Sequence, residues 1–253
     1  AGARYMTLTH GKGLRWADSA TDEVRHDGLT DFGVTVVEEM NRLGMLVDLS
    51  HVTEAVMHDA LDASEAPVIF SHSSARAVTD HPRNVPDSVL ERLPGNGGVV
   101  MVTFVPGYVS QAQRDWSLAS DGEHARLAAV HPFDESAQED GYAAWLEANP
   151  EPGATLDDVA DHIDHIRSVA GIEHIGLGGD FDGISTVVNG LEDVSTYPAL
   201  LAELLRRGYS DVDIAAIAGD NVLRVMRRAE AVARIQQGAR QAADPPAREG
   251  GRD

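Results

Sequence analysis

Residues 66–78 read APVIFSHSSARAV, and this stretch decides the predicted fold. Its first half is an apolar, β-prone run next to a proline, which predicts a fully buried strand. The run ends on the imidazole of His72, and two serines and a helix-like stretch follow at once. A buried strand that finishes on an ionisable side chain raises the question of whether other strands in the chain end in the same way.

Four further runs have the same signature of β-branched and apolar residues closed by Gly, Ser or Asp. With 67–72, the predicted strands are 4–10, 45–51, 98–104 and 174–180. Helical patterns lie between them, and Thr30 and Thr53 are placed to cap two of these helices. Strand, helix and strand in alternation build a parallel sheet, because parallel neighbours need a crossover connection. At 253 residues the chain fits one α/β domain of barrel size.

Composition excludes several classes of function. The chain carries 20 basic and 41 acidic side chains, for a formal charge of −21, which repels nucleic acid and anionic membranes. It has no cysteine, so no disulfide or thiolate metal site is possible. No apolar run near 20 residues and no signal peptide are present. We expect a soluble cytoplasmic protein, unless a preceding segment carries a signal.

Ionisable side chains end four of the five predicted strands: His10, His51, His72 and Asp180. In parallel α/β barrels the carboxyl ends of the strands open on one face, where the chemistry lies. A lone strand-end histidine is usually structural or exposed, but four acid/base groups at one topological position indicate a site. Neutral imidazole is a common zinc ligand. Because His51 and His72 end consecutive strands, about 5 Å apart in a sheet, both rings can reach one ion.

Two imidazoles alone do not hold a hydrolytic metal centre well, since such sites normally add carboxylates. Asp180, in GGDFDG, could be a ligand or a proton shuttle. The sequence has one His-x-Asp pair, His162 and Asp164. It lies in a helical pattern where positions i and i+2 point about 200° apart, so we reject it as a chelating pair. His162 and His165 are instead expected on a polar helix face or at an interface.

Six blocks of the chain resemble the membrane (renal) dipeptidase family. The members of this family are binuclear zinc peptidases of the amidohydrolase superfamily. The blocks contain, in this order, YMTLTH, VDLSHV, FSHSSARAV with HPRNVPD, VVMVTFVPGY, GLGGDFDGI and IAAIAGDNVLRV. The resemblance covers nearly the whole chain except residues 110–155 and the end of the chain. It implies hydrolysis of the amide bond of dipeptides, including those with a C-terminal D-residue, by a hydroxide that bridges two zinc ions.

The resemblance also implies roles for single residues. His51 and His72 match the two histidines that bind the second zinc ion. His10 matches the histidine that polarises the scissile carbonyl and stabilises the oxyanion, and Asp180 matches the aspartate that moves the proton. Both would also contact the substrate.

Two more matched residues lie on the substrate side. Arg83 matches an arginine at the substrate, where a guanidinium suits a carboxylate or oxyanion. Tyr108 matches a tyrosine near the same subsite. Without the resemblance, Arg83 would be taken for an exposed loop arginine.

The expected architecture is a (β/α)8 TIM-type barrel of which this chain supplies roughly the last five strands. A closed barrel needs eight strands, and an open five-stranded sheet leaves an edge unpaired. The family's remaining metal ligands, a His-x-Asp pair and a bridging glutamate, lie upstream of this chain. Residues 1–237 would form the C-terminal portion of the barrel, with a partly helical insertion at 110–155, and 238–253 a disordered tail.

Several alternatives stay open at this point. The barrel could carry another amidohydrolase-type reaction, such as lactam or lactone hydrolysis, or the chain could be a metal-poor fragment without catalysis. The insertion could serve as a lid, shape the pocket or form a homodimer contact. We also expect that these 253 residues alone neither close a barrel nor bind two zinc ions.

Overall fold

A single parallel sheet of five strands organises the computed structural model, which describes residues 2–243. The strands follow one another in the order β1-β2-β3-β4-β5. Their bounds are β1 Tyr5–Thr7, β2 Leu46–Asp48, β3 Ile69–Phe70, β4 Val99–Val102 and β5 Ile175–Leu177. All four pairings are parallel. The predicted α/β fold and the positions of all five strands are confirmed.

Helices connect the strands and cover the sheet. They are α1 Asp31–Leu43, α2 Glu54–Ala63, α3 Asp87–Leu90, α4 Leu93–Asn96, α5 Pro106–Val109, α6 Gln111–Val130, α7 Glu135–Ala148, α8 Leu156–Val169, α9 Tyr197–Arg206, α10 Asp211–Ala215 and α11 Asn221–Ala243. Short 3-10 turns lie at Ile172–His174, Phe181–Gly183 and Val194–Thr196, and a π turn at Ala216–Asp220 precedes α11. No helix within residues 2–243 is both long and apolar enough to cross a membrane.

Local capping chemistry fixes where the helices begin. The hydroxyl of Thr30 accepts a hydrogen bond from the backbone N–H of Gly33, and Thr53 does the same for Val56. Each cap satisfies a backbone donor that the first turn of a helix leaves unpaired. Helix α1 ends at Gly44, which takes the left-handed conformation at φ 73°, a backbone state that glycine adopts without strain.

The core forms on both faces of the sheet, because successive strand residues point to opposite sides. Leu46 and Ile69 pack against Val225 of α11 on one face, while Val47 and Val100 belong to the main cluster on the other. β2 is buried along its whole length. The helices therefore hold the carboxyl ends of β2 and β3 in fixed positions.

The two peripheral segments differ in how far they match the sequence prediction. Residues 110–155 contain the predicted helical insertion as two helices, α6 and α7, and no residue of α7 is buried. Helix α11 continues to Ala243, and it therefore includes the first residues of the segment 238–253 that the sequence predicts to be a disordered tail. Ala242 and Ala243 are strong helix formers that continue an established helix. The rest of the predicted tail lies outside the described residues.

The first strand forms one edge of the sheet. Within the described residues β1 pairs only with β2. Tyr5 and Met6 on this edge are 52% and 38% exposed. An unpaired strand edge with exposed large apolar side chains is a surface on which further strands can pair.

Candidate active site

The polar residues predicted at the strand ends lie in the loops that follow β1, β2, β3 and β5. His10 follows β1, His51 follows β2, His72 follows β3 and Asp180 follows β5. Since the strands are parallel and adjacent, these loops leave the sheet from one edge. The site is therefore built on the carboxyl edge of the sheet.

The imidazoles of His51 and His72 converge. Their Nε2 atoms lie 2.8 Å apart, and the ring of His10 stacks on the ring of His51 with 4.2 Å between centroids. At this separation one ring nitrogen can donate a hydrogen bond to the other, or both can bind one ion between them. The structure thus brings together three of the four strand-end groups through direct ring contacts.

Hydrogen bonds to the backbone hold His51 in place. Its φ is 71°, a left-handed conformation that few residues other than glycine adopt. The carbonyl of His51 accepts hydrogen bonds from the hydroxyl of Thr9 and the backbone N–H of Ala20. The segment after β1, which carries His10, therefore holds the loop that carries His51 in position through these hydrogen bonds. Such an over-determined left-handed residue is typical of a functional site.

A buried carboxylate lies beneath the histidine pair. Asp48, the last residue of β2, has no exposed surface. Its Oδ2 accepts hydrogen bonds from the hydroxyls of Thr7 and Ser71, both at 2.6 Å, and its Oδ1 accepts from the N–H groups of Ser50 and Ser71. The Ser71 hydroxyl also lies 2.7 Å from Nδ1 of His72. This carboxylate links three neighbouring strand ends.

The surroundings keep both converging histidines neutral near pH 7. Burial, followed by the positive charge of Arg83, lowers the pKa of His51 to about 3. The same two causes lower the pKa of His72, although the carboxylates of Asp180 and Asp48 oppose the shift. A metal ligand must offer an unprotonated ring nitrogen. The electrostatics of the site meet that condition.

Arg83 is buried beside the histidine pair rather than exposed on its loop. It is 2% exposed, and its two terminal nitrogens donate to the carbonyl of His72 at 3.4 and 3.3 Å. Within the described residues its Nε has no hydrogen-bond partner although it is buried. A guanidinium with a spare buried donor suits an anionic ligand.

Tyr108, on α5, completes this side of the site. Its ring lies 5.4 Å from the guanidinium carbon of Arg83 and 4.1 Å from the ring of His81. His81 is buried, and Nδ1 of its ring accepts a hydrogen bond from the N–H of Arg83. Burial, ahead of the nearby arginines, lowers the pKa of His81 to about 3. A neutral His81 can therefore accept this hydrogen bond and fix both neighbours.

Asp180 stands at the start of a tight turn. Its φ is 63°, and its carbonyl accepts a hydrogen bond from the N–H of Gly183. A side chain at position 183 would come 2.5 Å from Oδ1 of Asp180, so glycine leaves room for the carboxyl group. The negative charge of Asp180 opposes the lowering of the pKa of both His72 and Arg83. The carboxyl is thus within electrostatic reach of the histidine pair.

The residues present fit one side of a metal centre. His51 and His72 offer two converging neutral imidazoles, but within residues 2–243 no group of three or more His, Asp or Glu side chains is placed to hold an ion. The rejected His-x-Asp pair has other partners. Asp164 accepts hydrogen bonds from Arg207 and Tyr209. The part of the chain that the structure describes therefore presents an incomplete metal site.

The sequence predicts His162 on a polar helix face or at an interface, and the structure places it at a contact between segments of the chain rather than on an exposed face. It is fully buried, its Nδ1 accepts a hydrogen bond from the N–H of Ala75, and its Nε2 lies 3.2 Å from the carbonyl oxygen of Val109. Its partners are far away in the sequence, so helical periodicity could not reveal them. His165, one helical turn further on, is partly exposed, and its Nε2 lies 2.7 Å from Oδ1 of Asp87.

Sequence reasoning missed three residues that the geometry singles out: Asp48, Ser71 and His81. The available signal was a carboxylate inside the apolar strand MLVDLSH. A charged side chain at a buried strand position needs partners, and that requirement pointed to hydrogen-bonding neighbours on the adjoining strands.

Comparison with known proteins identifies the family of the chain. Residues 1–240 match the model of the membrane dipeptidase family, peptidase family M19. The chain is 44% identical over 238 residues to dipeptidase tcpJ of Claviceps purpurea, covering 94% of this chain and 47% of that protein. It is 44% identical over 236 residues to dipeptidase 3 of Rattus norvegicus, covering 91% and 40%. The chain belongs to the M19 membrane dipeptidase family.

Solved structures share the fold. The probable dipeptidase PvdM from Pseudomonas aeruginosa superimposes with a TM-score of 0.77 at 29% identity, covering 91% of this chain and 64% of that one. A metallopeptidase from Rhodobacter sphaeroides, liganded with a phosphinate mimic of the dipeptide L-Ala-D-Ala, gives a TM-score of 0.66 at 26% identity, covering 89% and 56%. The chain spans about half the length of the curated relatives it matches.

Proposed function

We propose that this chain carries the C-terminal part of the active site of a metal-dependent dipeptidase, which hydrolyses the single amide bond of a dipeptide. The observation that supports this most is the 2.8 Å approach of the two Nε2 atoms of His51 and His72 at the carboxyl edge of a parallel sheet. Membership of a dipeptidase family supports the same reaction. The ligand of the Rhodobacter sphaeroides relative mimics a dipeptide with a C-terminal D-residue, which favours such substrates here.

The proposed metal is zinc, with two ions in a complete site. His51 and His72 would hold one of them, and zinc when bound supplies Lewis-acid and water-activating chemistry. Their lowered pKa values leave both rings able to offer a lone pair near pH 7. The remaining ligands are proposed to come from a segment that precedes residue 1.

The other residues of the site would bind the substrate and move protons. His10, stacked on His51, would donate a hydrogen bond to the scissile carbonyl oxygen. Asp180 would accept a proton from the attacking water and return it to the leaving amine.

Arg83 and Tyr108 would form the end of the site that holds the substrate carboxylate. The spare buried Nε of Arg83 supports this role, because a carboxylate is the natural partner of a guanidinium donor. Tyr108 would limit the movement of Arg83 through its ring contact.

We further propose that residues 1–237 are the last five strands of a (β/α)8 barrel. The exposed edge of β1 supports this, because preceding strands would cover it. The fact that the chain covers only 64% of the PvdM structure supports it too. A homodimer contact through 110–155 and a cytoplasmic location stay predictions of the sequence.

The decisive experiment is a substrate panel with zinc-loaded full-length protein. We expect turnover of L-Ala-L-Ala and L-Ala-D-Ala and none of a lactam or a lactone of similar size. Turnover of the cyclic substrates alone would favour the other amidohydrolase reactions. No turnover of any dipeptide by metal-loaded protein would contradict the dipeptidase proposal.

A second experiment addresses the incomplete metal site. The isolated 253-residue polypeptide is expected to show no cooperative thermal unfolding and to bind fewer than two zinc ions. A cooperative transition with two bound ions would overturn the proposal that part of the barrel and of the ligand set lies elsewhere.

A further inference from the structure

Asp48 occupies a position where a carboxylate is costly unless it has partners. It is fully buried at the end of β2, in register with Thr7 of β1 and Ile69 of β3. Burying a charged group in a protein interior is unfavourable unless hydrogen bonds compensate for the lost water. The hydrogen-bond partners of the Asp48 carboxylate therefore indicate its role.

Four donors surround the carboxylate. Backbone N–H groups of Ser50 and Ser71 reach Oδ1 at 3.1 and 2.9 Å. The hydroxyls of Thr7 and Ser71 reach Oδ2, each at 2.6 Å. Backbone N–H groups can only donate, so Oδ1 must accept. An oxygen–oxygen distance of 2.6 Å also requires one proton between the two atoms. The hydroxyl protons of Thr7 and Ser71 therefore both point at Oδ2 of Asp48.

The Ser71 hydroxyl has only one proton, and it lies between two partners. Its oxygen is 2.6 Å from Oδ2 of Asp48 and 2.7 Å from Nδ1 of His72. If the proton pointed at His72, two sets of lone pairs would face each other across the 2.6 Å contact with Asp48. The proton therefore points at the carboxylate, and the oxygen must accept a hydrogen bond from Nδ1 of His72.

We infer that Asp48 and Ser71 act as positioning residues that hold the neutral imidazole of His72 in the Nδ1–H tautomer. The relay runs from His72 Nδ1–H to Ser71 Oγ, and from Ser71 Oγ–H to the carboxylate of Asp48. It leaves the lone pair of His72 on Nε2, the atom that faces Nε2 of His51 at 2.8 Å. The inference deepens the proposed function, on which its link to metal binding rests.

The relay determines which nitrogen of His72 is free to bind an ion. The opposite tautomer would place a proton on Nε2, where a metal ligand needs a lone pair. A partner that fixes the tautomer and orientation of a histidine ligand also raises its basicity, and its loss typically weakens metal binding about 10- to 100-fold. Here the carboxylate acts through a serine instead of contacting the ring directly.

Replacing Asp48 with asparagine should reverse the direction of the hydrogen bonds in the relay and should keep a side chain of the same size at position 48. An asparagine can keep its carbonyl oxygen toward the two backbone N–H groups and place its NH₂ group toward the two hydroxyls. Ser71 would then accept from the amide and donate its proton to Nδ1 of His72, which forces the Nε2–H tautomer. The Ser71→Ala variant removes the acceptor and fixes neither tautomer.

Long-range ¹H–¹⁵N NMR of the histidine rings in metal-free full-length protein tests the inference directly. The wild type should show His72 protonated on Nδ1, Asp48→Asn should move the proton to Nε2, and Ser71→Ala should give a mixture. Ser71→Thr keeps the hydroxyl and should restore the wild-type pattern. The control is Asp87→Asn, which changes the carboxylate beside His165 and should leave His72 unaffected.

Zinc affinity, measured by competition with a chelator, is the second readout. We expect binding about 10- to 100-fold weaker in Ser71→Ala, a larger loss in Asp48→Asn, and none in Asp87→Asn. A His72 tautomer unchanged in both Asp48→Asn and Ser71→Ala would overturn the inference. Because the tautomer is read without metal or substrate, failure of the dipeptidase proposal would show separately, as absent zinc binding or dipeptide turnover in the wild type. If Asp48→Asn does not fold, Ser71→Ala and Ser71→Thr decide alone.

Discussion

Two groups of histidines in this chain, one partly buried and one fully buried, have similar electrostatics and different surroundings. His51 and His72 at the sheet edge, and His162 on α8, all have a pKa lowered chiefly by burial. Both ring nitrogens of His162 face backbone groups, whereas the Nε2 atoms of His51 and His72 face each other. Burial and a shifted pKa therefore do not distinguish a structural histidine from a ligand. The two kinds of histidine are distinguished instead by the atoms that their ring nitrogens contact.

The largest effect should follow from removing a sheet-edge histidine. His72→Ala takes away one of the two converging nitrogens, and metal catalysis contributes several kcal/mol to a hydrolytic reaction. We expect kcat/KM for a dipeptide to fall roughly 1000-fold or more, with an almost unchanged melting temperature. His58→Ala, which removes a partly exposed side chain of α2 that contacts Arg92, is the matched control and should keep its activity. Near-normal activity in His72→Ala would break the distinction.

His162→Ala should show the opposite pattern, a large loss of stability. It leaves the N–H of Ala75 and the carbonyl of Val109 without their side-chain partner and opens a cavity among buried side chains. Unsatisfied buried groups and an emptied aromatic site together cost roughly 3 to 5 kcal/mol. Denaturant unfolding of the full-length protein measures this loss. His165→Ala, which removes a partly exposed contact with Asp87, should cost less than about 1 kcal/mol, and equal losses in the two variants would contradict the account.

The pH dependence of stability should carry the signature of His162. Burial lowers its pKa to about 4, and hydrogen bonding to Val109 opposes the shift only in part; His165, Asp161 and Asp158 are its charged neighbours. The unfolded state then binds more protons than the folded state between about pH 6.5 and 4. Stability from this group is present above pH 6.5 and is lost as the pH falls through 4, by up to about 3 kcal/mol.

The measurement is the free energy of unfolding at several pH values for wild type and His162→Gln. The difference between the two should shrink as the pH falls across this window, because glutamine does not titrate. A difference that stays constant from pH 7 to 4 would show that His162 is not held neutral by its surroundings.

The smallest effect is expected on the insertion. His124 on α6 is exposed, and its ring stacks on Tyr142 of α7 at 3.8 Å. His124→Ala should change the free energy of unfolding by no more than about 0.5 to 1 kcal/mol, as for other exposed aromatic contacts, and should leave dipeptide turnover unchanged. A large loss of turnover would show that the insertion takes part in the site.

The features that the sequence predicted well are those set by neighbouring residues. The five strands and the Thr30 and Thr53 caps follow from local patterns of apolar and capping residues. The structure confirms them because tertiary packing agrees with these local preferences. Helix α11 extends into the predicted tail as far as Ala243, where helix propensity outweighs the lack of an apolar face.

The features that the sequence missed depend on contacts between distant segments. Asp48 meets Thr7 across 41 positions and Ser71 across 23, and His162 meets Ala75 across 87. No periodicity within one element reports such contacts. The burial of Arg83 has the same cause, since its guanidinium lies against the ring of Tyr108, which comes from a different segment of the chain. The convergence of the strand-end histidines was predictable because parallel-sheet topology alone brings them to one edge.

The position of a bound zinc ion shows directly whether His51 and His72 bind the same metal ion. A crystal structure of zinc-loaded full-length protein, with anomalous scattering recorded on both sides of the zinc edge, locates the ion directly. We expect an anomalous peak at about 2.0 to 2.1 Å from Nε2 of both histidines. A peak coordinated by neither ring, or a direct hydrogen bond between the two Nε2 atoms that persists in the zinc-loaded protein, would contradict this expectation.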